Sequence, residues 1–426
     1  MNTFDLKNFI ECKQSNKAHT NEEINCFIKN LNNFSQDEIT QWLKAVKKNS
    51  LNDDETSALT LAMAKSGEIL SWEGLEPLVD KHSSGGIGDK ITFLLVPLIA
   101  AYGINIPKLS GRGLGITGGT IDKLESISGL KTNLSIKEIK EQVKKINLAI
   151  ASAGSNLTPA DKKLYAIRDV TDTVDSIQLI ASSIMSKKIA CGANNIILDV
   201  KAGAGAFLKT KEKANELAQK MVSIGKSLNK NITAIISNMN QPLGHCIGNS
   251  LEVIEALEIL SGKEVSDLVE ITICLAIEAI NLTRKDLNIE GMLRKLLLNG
   301  EALKKFEGMV ICQGGNLKLG FQKAKHIEII KSKSNGYINF IDAQTVGEIV
   351  HDLGAGRKTV SEQIDHSVGV RLFKKYNDKV CKDEPLFEIH AKSLEEAEKA
   401  KEKLLNAIKF GQTKQPELKL IYEIIR

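Results

Sequence analysis

Apolar positions in the first part of the chain recur at helical spacing, and polar capping residues precede them. The segments TNEE (residues 20–23) and SQDE (residues 35–38) stand directly before apolar-periodic runs. A Ser or Thr followed three residues later by Glu is the pattern of a helix capping box. A third helix is expected to open at Asp53 or Asp54. The pattern therefore predicts an all-helical region over residues 1–70, with its apolar stripe packed in a core or against a second subunit.

From about residue 71 the pattern changes to short apolar runs that alternate with helix-compatible stretches. The predicted strands are Leu75–Val79, Ile104–Leu109, Asn194–Val200 and Ile232–Ile236. The predicted helices among them include Lys90–Tyr102 and the charged, amphipathic Ser135–Asn147. Such alternation favours an α/β fold with a mainly parallel sheet, in which ligands bind at the carboxyl ends of the strands.

The last part of the chain has a different organisation. Residues 368–392 are typical of paired strands joined by a turn, and residues 393–411 are typical of one long helix. We therefore predict three domains: a helical N-terminal domain, a central mainly parallel α/β domain that binds phosphate, and a C-terminal α+β domain. The predicted boundaries are 1–70 (completed by about 160–192) for the first, 71–159 with 193–330 for the second, and 336–426 for the third.

Two glycine-rich loops each follow a predicted strand of the central domain. They are VDKHSSGGIGDK (residues 79–90) and KLSGRGLGITGGTIDKLES (residues 108–126). Glycines let a backbone approach a ligand closely, and hydroxyls, cations and loop amides near helix N-termini bind phosphate. One such loop is compatible with an ordinary tight turn, but two loops this rich in hydroxyls and cations favour a phosphate site. The candidate phosphate-binding residues are Lys81, Ser83, Thr92, Lys108, Ser110 and Thr120.

Composition narrows the class of protein. The 426 residues carry 57 Lys and Arg against 52 Asp and Glu, a net charge of +5 without a basic block. This argues against a nucleic-acid surface and suits a small anionic substrate. Seven dispersed cysteines without CxxC spacing indicate free thiols in a reducing compartment. The first residues lack the apolar run of a signal peptide, and no apolar run is long enough to span a bilayer, so we expect a cytoplasmic protein with no membrane partner.

Both glycine loops, and a third segment, resemble signature elements of a known enzyme family. The third segment is YAIRDVTDTVDSIQLIASSIMSKK (residues 165–188). Together these segments are similar to elements of the thymidine and pyrimidine-nucleoside phosphorylases, and the resemblance covers essentially the whole chain. It implies phosphorolysis of uridine, thymidine and deoxyuridine to free base and (deoxy)ribose 1-phosphate. It also implies a C-terminal hammerhead like that of biotinyl carriers, and a homodimer formed through the helical domain.

The resemblance assigns roles that the residues alone do not, because an isolated Arg or Lys on a helix is usually a surface charge. It implies that the pyrimidine is bound by Arg168, Ser183 and Lys187, with Tyr165 beside them. Arg168 and Lys187 would stabilise the negative charge that develops on the departing base. His82, next to the phosphate-binding lysine, would donate to a pyrimidine oxygen, as a general acid or through a hydrogen bond only.

The resemblance further implies a potassium site and no organic cofactor. By position the ion would contact Gly88, Lys90, Leu243, Cys246 and Glu255, the first four through main-chain oxygens. Lys90 stands where close relatives carry a small hydroxyl residue. Three alternatives stay open: the ion is retained, the ammonium of Lys90 replaces it, or Lys90 lies on the surface. We expect the ion to be retained.

Other functions remain to be weighed against this one. They are a thymidine-restricted phosphorylase, a phosphoribosyltransferase of the same superfamily, a non-catalytic carrier suggested by the C-terminal hairpin alone, and a degenerate relative that binds nucleoside without turnover. Lys108 favours the broader specificity, since thymidine-specific relatives typically carry Met there. Ile116 and Asn238 depart from the family pattern and keep the degenerate alternative open.

Overall fold

The computed structural model describes residues 4–426 except positions 114, 117, 153, 155, 287, 358, 360 and 361. Residues 1–3 of the predicted helical domain, and Leu114 and Thr117 of the second glycine loop, lie outside the described residues. No helix in the described part of the chain is both long enough and apolar enough to cross a membrane.

The helices of the described chain have these bounds. They are α1 (Leu6–Gln14), α2 (Asn21–Lys29), α3 (Gln36–Asn49), α4 (Asp53–Ala64), α5 (Ile91–Ala101), α6 (Thr120–Leu124), α7 (Ile136–Ile146), α8 (Pro159–Val170), α9 (Ile177–Ala190), α10 (Lys211–Ser227), α11 (Asn249–Leu260), α12 (Ser266–Asn281), α13 (Ile289–Leu298), α14 (Glu301–Cys312), α15 (Ala343–Val350) and α16 (Leu394–Asn406). Short 3₁₀ turns cover Leu31–Asn33 and Leu317–Leu319, and a π turn covers His351–Ala355.

The strands of the described chain form four sheets. They are β1 (Val79–Ser83), β2 (Ile106–Ser110), β3 (Leu148–Ser152), β4 (Asn195–Ala202), β5 (Asn231–Asn238), β6 (Cys246–Ile247), β7 (His326–Lys331), β8 (Gly336–Ile341), β9 (Gly369–Leu372), β10 (Lys379–Val380), β11 (Pro385–Ala391), β12 (Ile408–Gly411) and β13 (Ile421–Ile425).

The N-terminal helices pack around a buried aromatic cluster. Phe9, Phe27 and Trp42 are almost fully buried there, and α8 and α9 contribute apolar residues to the same core. The predicted capping boxes at the starts of α2 and α3 are both present. Helix α4 begins at Asp53, but its cap is Asn52, whose side chain accepts from the Glu55 amide at 2.8 Å. The cap precedes both aspartates because Asn52 and Glu55 form a third capping box.

The central sheet is mainly parallel, as predicted. Strands β1, β4 and β5 pair in parallel, β2 and β3 pair in parallel, and a parallel bridge between Leu78 and Asn105 connects the two groups. All five strands therefore end at one edge of the sheet. Strand β13 adds to β5 in antiparallel orientation.

The first strand of this sheet lies later in the chain than the apolar pattern predicts. The predicted strand Leu75–Val79 is replaced by β1, which carries polar residues to the sheet edge. Pro77 has no amide for a ladder, and the carbonyl of Leu75 accepts from the Asn105 side chain at 2.7 Å. The apolar segment instead buries Leu75 and Leu78 in the core beneath the sheet.

The C-terminal domain contains two antiparallel sheets, with strand orders β6-β9-β11-β7 and β10-β8-β12. Its apolar core also takes in α15 and α16. Strand β7 precedes the predicted boundary at 330–336 yet belongs to this domain, whereas β13 follows that boundary and pairs with the central sheet. The guanidinium of Arg426 anchors the chain end by contacting the Glu278 carboxylate at 2.6 and 2.9 Å. The likeness to biotinyl carriers stays a prediction.

Candidate active site

The carboxyl ends of β1 and β2 bring the two glycine loops together around a cavity of about 430 Å³. Five of the six predicted phosphate-binding residues line it: Ser83, Thr92, Lys108, Ser110 and Thr120. The sixth, Lys81, is fully buried beside the cavity and donates from Nζ to Thr92 Oγ1 at 3.2 Å. The structure therefore groups hydroxyls, glycine amides and cations as an oxyanion such as phosphate requires.

A second cavity, of about 780 Å³, adjoins the first. Three of the residues predicted to bind the base, Tyr165, Arg168 and Ser183, line it. The fourth, Lys187, lines the first cavity instead. His82, Ser83, Ser84 and Ile184 line both cavities. Most of the phosphate-binding set and most of the base-binding set thus lie on either side of a shared wall that contains His82, while Lys187 faces the phosphate side.

Asp89 fixes the first glycine loop. Its carboxylate accepts from Ser83 Oγ at 2.6 Å, and Ser83 Oγ accepts in turn from the Gly85 amide at 3.1 Å. Burial alone would raise the pKa of Asp89, but the ammoniums of Lys201 and Lys81 and the Ser83 hydrogen bond hold this pKa below its usual range. Asp89 therefore stays ionised and holds the Ser83 hydroxyl in place.

The second glycine loop depends on a close approach of two glycines. A Cβ on Gly113 would lie 2.4 Å from the Gly119 amide nitrogen, and a Cβ on Gly119 would lie 2.1 Å from that of Gly113. No larger residue fits at either position without a shift of the backbone. Asp122 closes the turn, since its carboxylate accepts from the Gly113 amide at 2.6 Å and from Arg357 Nη1 at 2.6 Å. The C-terminal domain thereby braces this loop.

His82 is neutral in the structure. Its pKa lies well below the ordinary value because of burial and because of the nearby ammoniums of Lys188, Lys108 and Lys81. Its Nε2 is shielded from solvent and has no hydrogen-bond partner among the described residues. A neutral imidazole between the cavities can donate or accept one hydrogen bond, but it carries no charge at neutral pH.

Arg168 is held by the backbone around the second cavity. It donates to the carbonyls of Thr173 at 3.2 Å, Val174 at 2.9 Å and Leu179 at 3.0 Å. A guanidinium has five N–H groups, so these contacts within the described chain leave two donors for a ligand. Its carbon Cζ lies 5.9 Å from the centre of the Tyr165 ring. Arg168 is therefore preorganised and not a surface charge.

Lys187 is oriented by one group on its own helix, α9, and by one group on α8. Its Nζ contacts the buried carboxylate of Asp161 and donates to Ser183 Oγ at 3.0 Å. The residue at i−4 on α9 is thus the predicted Ser183, while Asp161 comes from the start of α8. Asp161 stabilises the ammonium and fixes its direction.

Several of these partners escape the sequence-based prediction. Asp80, Asp89 and Asp161 contact candidate site residues, Asp122 holds the second glycine loop, and Lys188 lines the first cavity. Lys188 Nζ lies 2.7 Å from the Asp80 carboxylate, with both side chains buried. Each partner is a single charged residue within a strand, loop or helix, which produces no periodic signal. The only hint in the sequence is that Asp80, Asp89 and Asp122 stand within or beside the glycine-rich segments.

The five residues of the predicted potassium site do come together. Lys90 Nζ lies 2.8 Å from the Leu243 carbonyl oxygen and 3.0 Å from Glu255 Oε2, while Gly88 packs against Leu243. The surface alternative for Lys90 is wrong, because its side chain is fully buried. Cys246 donates from its amide N–H to Glu255 Oε2 at 3.0 Å. This contact does not use the main-chain oxygen of Cys246, which is the atom predicted to bind the ion.

Two family models match most of the chain. The family model described as "Glycosyl transferase family, a/b domain" matches residues 75–303, and the model described as "Pyrimidine nucleoside phosphorylase C-terminal domain" matches residues 337–411. The pyrimidine-nucleoside phosphorylase of Geobacillus stearothermophilus is 42% identical over 431 residues, which cover 99% of each chain. The chain belongs to the pyrimidine-nucleoside phosphorylase family. The enzyme of that name from Bacillus subtilis is 44% identical and covers 89% of this chain and 90% of its own.

The fold of this phosphorylase-family chain is shared more widely. A crystal structure of anthranilate phosphoribosyltransferase from Thermus thermophilus superimposes with a TM-score of 0.58 at 16% sequence identity. It covers 71% of this chain and 98% of its own. At that identity the likeness shows the fold alone.

Asp161 provides the first test of the site. In Asp161→Asn, Lys187 keeps a hydrogen-bond acceptor but loses its anionic partner, so kcat/KM for nucleoside phosphorolysis should fall about tenfold. Lys187→Met should fall further, and the double variant should match Lys187→Met alone because Asp161 acts through the ammonium. Additive losses in the double variant would assign Asp161 a separate role.

Lys108 provides a test by pH. Burial and the ammonium of Lys188 lower the pKa of Lys108 to about 7. A lysine is cationic below its pKa and neutral above it, so the phosphate affinity of the free enzyme should weaken as the pH rises through this value. Lys108→Arg keeps its charge. The ratio of the KM for phosphate, native over variant, should rise about tenfold between about pH 6.5 and 8.5. Taking the ratio cancels the ionisation of phosphate itself, and a flat ratio would rule out a charge change at Lys108.

Proposed function

We propose that this protein catalyses the phosphorolysis of pyrimidine nucleosides. An oxygen of inorganic phosphate bonds to C1′ while the C1′–N1 glycosidic bond breaks, and its electron pair leaves with the pyrimidine. The products are the free base, after protonation, and a pentose 1-phosphate. The observation that carries this proposal is the shared wall at His82, which sets a cavity of phosphate ligands beside a cavity of base ligands.

The first cavity has two tasks in this reaction. It must balance the negative charge of phosphate, and it must direct one phosphate oxygen at C1′. The buried ammonium of Lys81, the hydroxyls of Ser83 and Thr92, and the amides of the two glycine loops provide donors for both tasks. No covalent nucleophile on the protein is required, because phosphate itself is the nucleophile.

Residues of the second cavity, together with Lys187 from the first, stabilise the leaving group. Negative charge develops on the pyrimidine oxygens and ring nitrogen as the glycosidic bond breaks. The two unused donors of Arg168 and the ammonium of Lys187 are fixed before the substrate arrives, so they need not reorganise in the transition state. His82 is neutral and assists as a hydrogen-bond donor from the shared wall. Closing the two cavities around both substrates would exclude water, which competes with phosphate as the nucleophile.

We also propose a cytoplasmic homodimer. The homodimer is supported by the family resemblance, which implies a dimer contact through the helical domain. All seven cysteines are free thiols, which is consistent with a reducing compartment.

The direct test is phosphate-dependent release of free uracil or thymine by the purified protein. Arg168→Ala should lower kcat/KM by about a hundredfold or more, the scale of losing a transition-state donor. Because Arg168 also holds three carbonyls, the thermal unfolding midpoint is measured in parallel. Arg168→Lys is the matched variant that keeps the charge without the planar fork. A folded Arg168→Ala protein with near-normal turnover would remove this assignment, and no base release by the native protein would refute the proposed reaction.

Substrate range depends on Lys108, whose Nζ lies at the cavity wall and donates to the Leu109 carbonyl at 2.7 Å. We expect uridine to be accepted along with thymidine and deoxyuridine, because an ammonium near ribose and phosphate can donate to a hydroxyl and a thioether cannot. Lys108→Met should reduce kcat/KM for uridine relative to deoxyuridine by about tenfold, one lost hydrogen bond to a charged donor. A native enzyme that turns over thymidine but leaves uridine intact would support the thymidine-restricted alternative.

A further inference from the structure

We infer that the ammonium of Lys90 occupies the monovalent-cation site that the family resemblance implies, so that this chain needs no potassium there. The inference concerns the same phosphorylase-like site and rests on the proposed function only for its kinetic arm. Its basis is a disagreement between the expected ion and the residues present.

Oxygen atoms of the protein surround Lys90 Nζ as they would surround a bound cation. It donates to the Leu243 carbonyl at 2.8 Å and contacts Glu255 Oε2 at 3.0 Å, and both charged side chains are almost completely buried. Gly244 makes room for this contact, because a Cβ there would lie 3.0 Å from the ammonium and 2.6 Å from Glu255 Oε2. An ammonium and a potassium ion carry the same charge and seek the same oxygen partners.

Both oxygens of the Glu255 carboxylate are already engaged. Oε1 accepts from the His245 amide at 2.8 Å, and Oε2 accepts from the Cys246 amide at 3.0 Å in addition to its contact with Lys90. The ion pair balances one negative with one positive charge. A potassium ion placed beside it would add a second cation within contact distance in a buried site, where like charges repel strongly.

The carbonyls of the neighbouring turn are engaged as well. The Leu243 carbonyl accepts from Lys90 Nζ, while the carbonyls of Pro242 and Gly244 accept from Lys375 Nζ of the C-terminal domain, the latter at 2.6 Å. Lys375 is balanced by Asp267 at 3.2 Å. Three successive carbonyls of residues 242–244 thus bind lysine ammoniums. The residues present therefore do not fit an additional metal ion.

The position of Lys90 explains why a cation at this point matters to the site. Lys90 caps the start of α5, between Asp89, which holds Ser83, and Thr92, which lines the phosphate cavity. The ion pair with Glu255 connects this stretch to α11 and to the turn at 242–246. Lys90 is thus a positioning residue, and its ammonium would provide permanently what an exchangeable ion provides only when bound.

The first arm of the test uses the native protein. Its thermal unfolding midpoint and its kcat/KM are measured in potassium chloride and in tetramethylammonium chloride at equal ionic strength. We expect the midpoint to agree within about 1 °C and the rate within about twofold, since no ion binds selectively. Activation by potassium of about fivefold or more, or a clear potassium-dependent rise in the midpoint, would overturn the inference.

The second arm of the test removes the ammonium and so makes room for an ion. Lys90→Thr removes the ammonium and leaves Glu255 buried without its cation, so it should lose activity in tetramethylammonium. Potassium should then raise its midpoint by roughly 3 °C or more and recover at least about tenfold in kcat/KM. Lys90→Met, of similar volume but without an oxygen or a void, is the matched control and should respond to neither salt.

The outcomes separate this inference from the proposed reaction. The midpoint measurements require no substrate, so they decide the cation question even if no base is released. A folded Lys90→Thr protein whose midpoint ignores potassium would show that Lys90 and Glu255 form only a structural ion pair, against the inference. If Lys90→Thr does not fold, the potassium independence of the native midpoint and rate decides.

Discussion

Binding a phosphate dianion inside a protein requires cations that are buried before the ligand arrives, and this constraint shapes the edge of the central sheet. A buried ammonium is unfavourable unless a carboxylate or an oxygen-rich shell compensates it. Lys188 has Asp80 at 2.7 Å, and Lys201 has Asp199 at 2.7 Å in a pair with no exposed side-chain surface. Among the described residues Lys108 contacts no carboxylate; its Nζ donates to the Leu109 carbonyl, and burial and the ammonium of Lys188 lower its pKa to about 7. The site thus combines cations that are paired with carboxylates and one, Lys108, whose charge the bound phosphate would balance.

This constraint also explains which parts of the fold could be predicted from the sequence. The parallel sheet and the helical N-terminal region follow from apolar periodicity, and their prediction is confirmed in its coarse form. The first strand was misplaced because its polar residues break the apolar pattern: Asp80 and Lys81 are buried, and His82 and Ser83 are partly buried at the site. Strand β13 could not be assigned to the central sheet, because an antiparallel edge strand at the chain end carries no mark of its partner.

The candidate site was predicted unevenly for a related reason. The residues predicted to bind substrates lie in long segments that resemble a known family, and the structure brings them to two adjoining cavities. The partners of these residues give no signal in the sequence. Asp161 and Lys187 are 26 residues apart on different helices. Asp122 contacts Arg357 only because the C-terminal domain packs on the second glycine loop. Such pairs are set by tertiary packing, so a single sequence contains the residues but not their pairing.

The C-terminal domain takes part in the same electrostatic scheme at two points. Arg357 neutralises Asp122 beneath the second glycine loop, and Lys375 neutralises Asp267 beside the turn that faces Lys90. Both contacts cross from the C-terminal domain to backbone that supports the phosphate cavity. In each case the lysine or arginine fixes the loop in one conformation and balances the charge of a carboxylate.

Lys90 follows the same rule within the central domain. An exchangeable ion would have to bind from solution, whereas the ammonium of Lys90 is covalently attached and always present. Its cost is the entropy lost when one long side chain is ordered during folding. A built-in cation therefore makes the geometry of the phosphate loop independent of the salt around the protein, which is why the response to potassium distinguishes the two solutions.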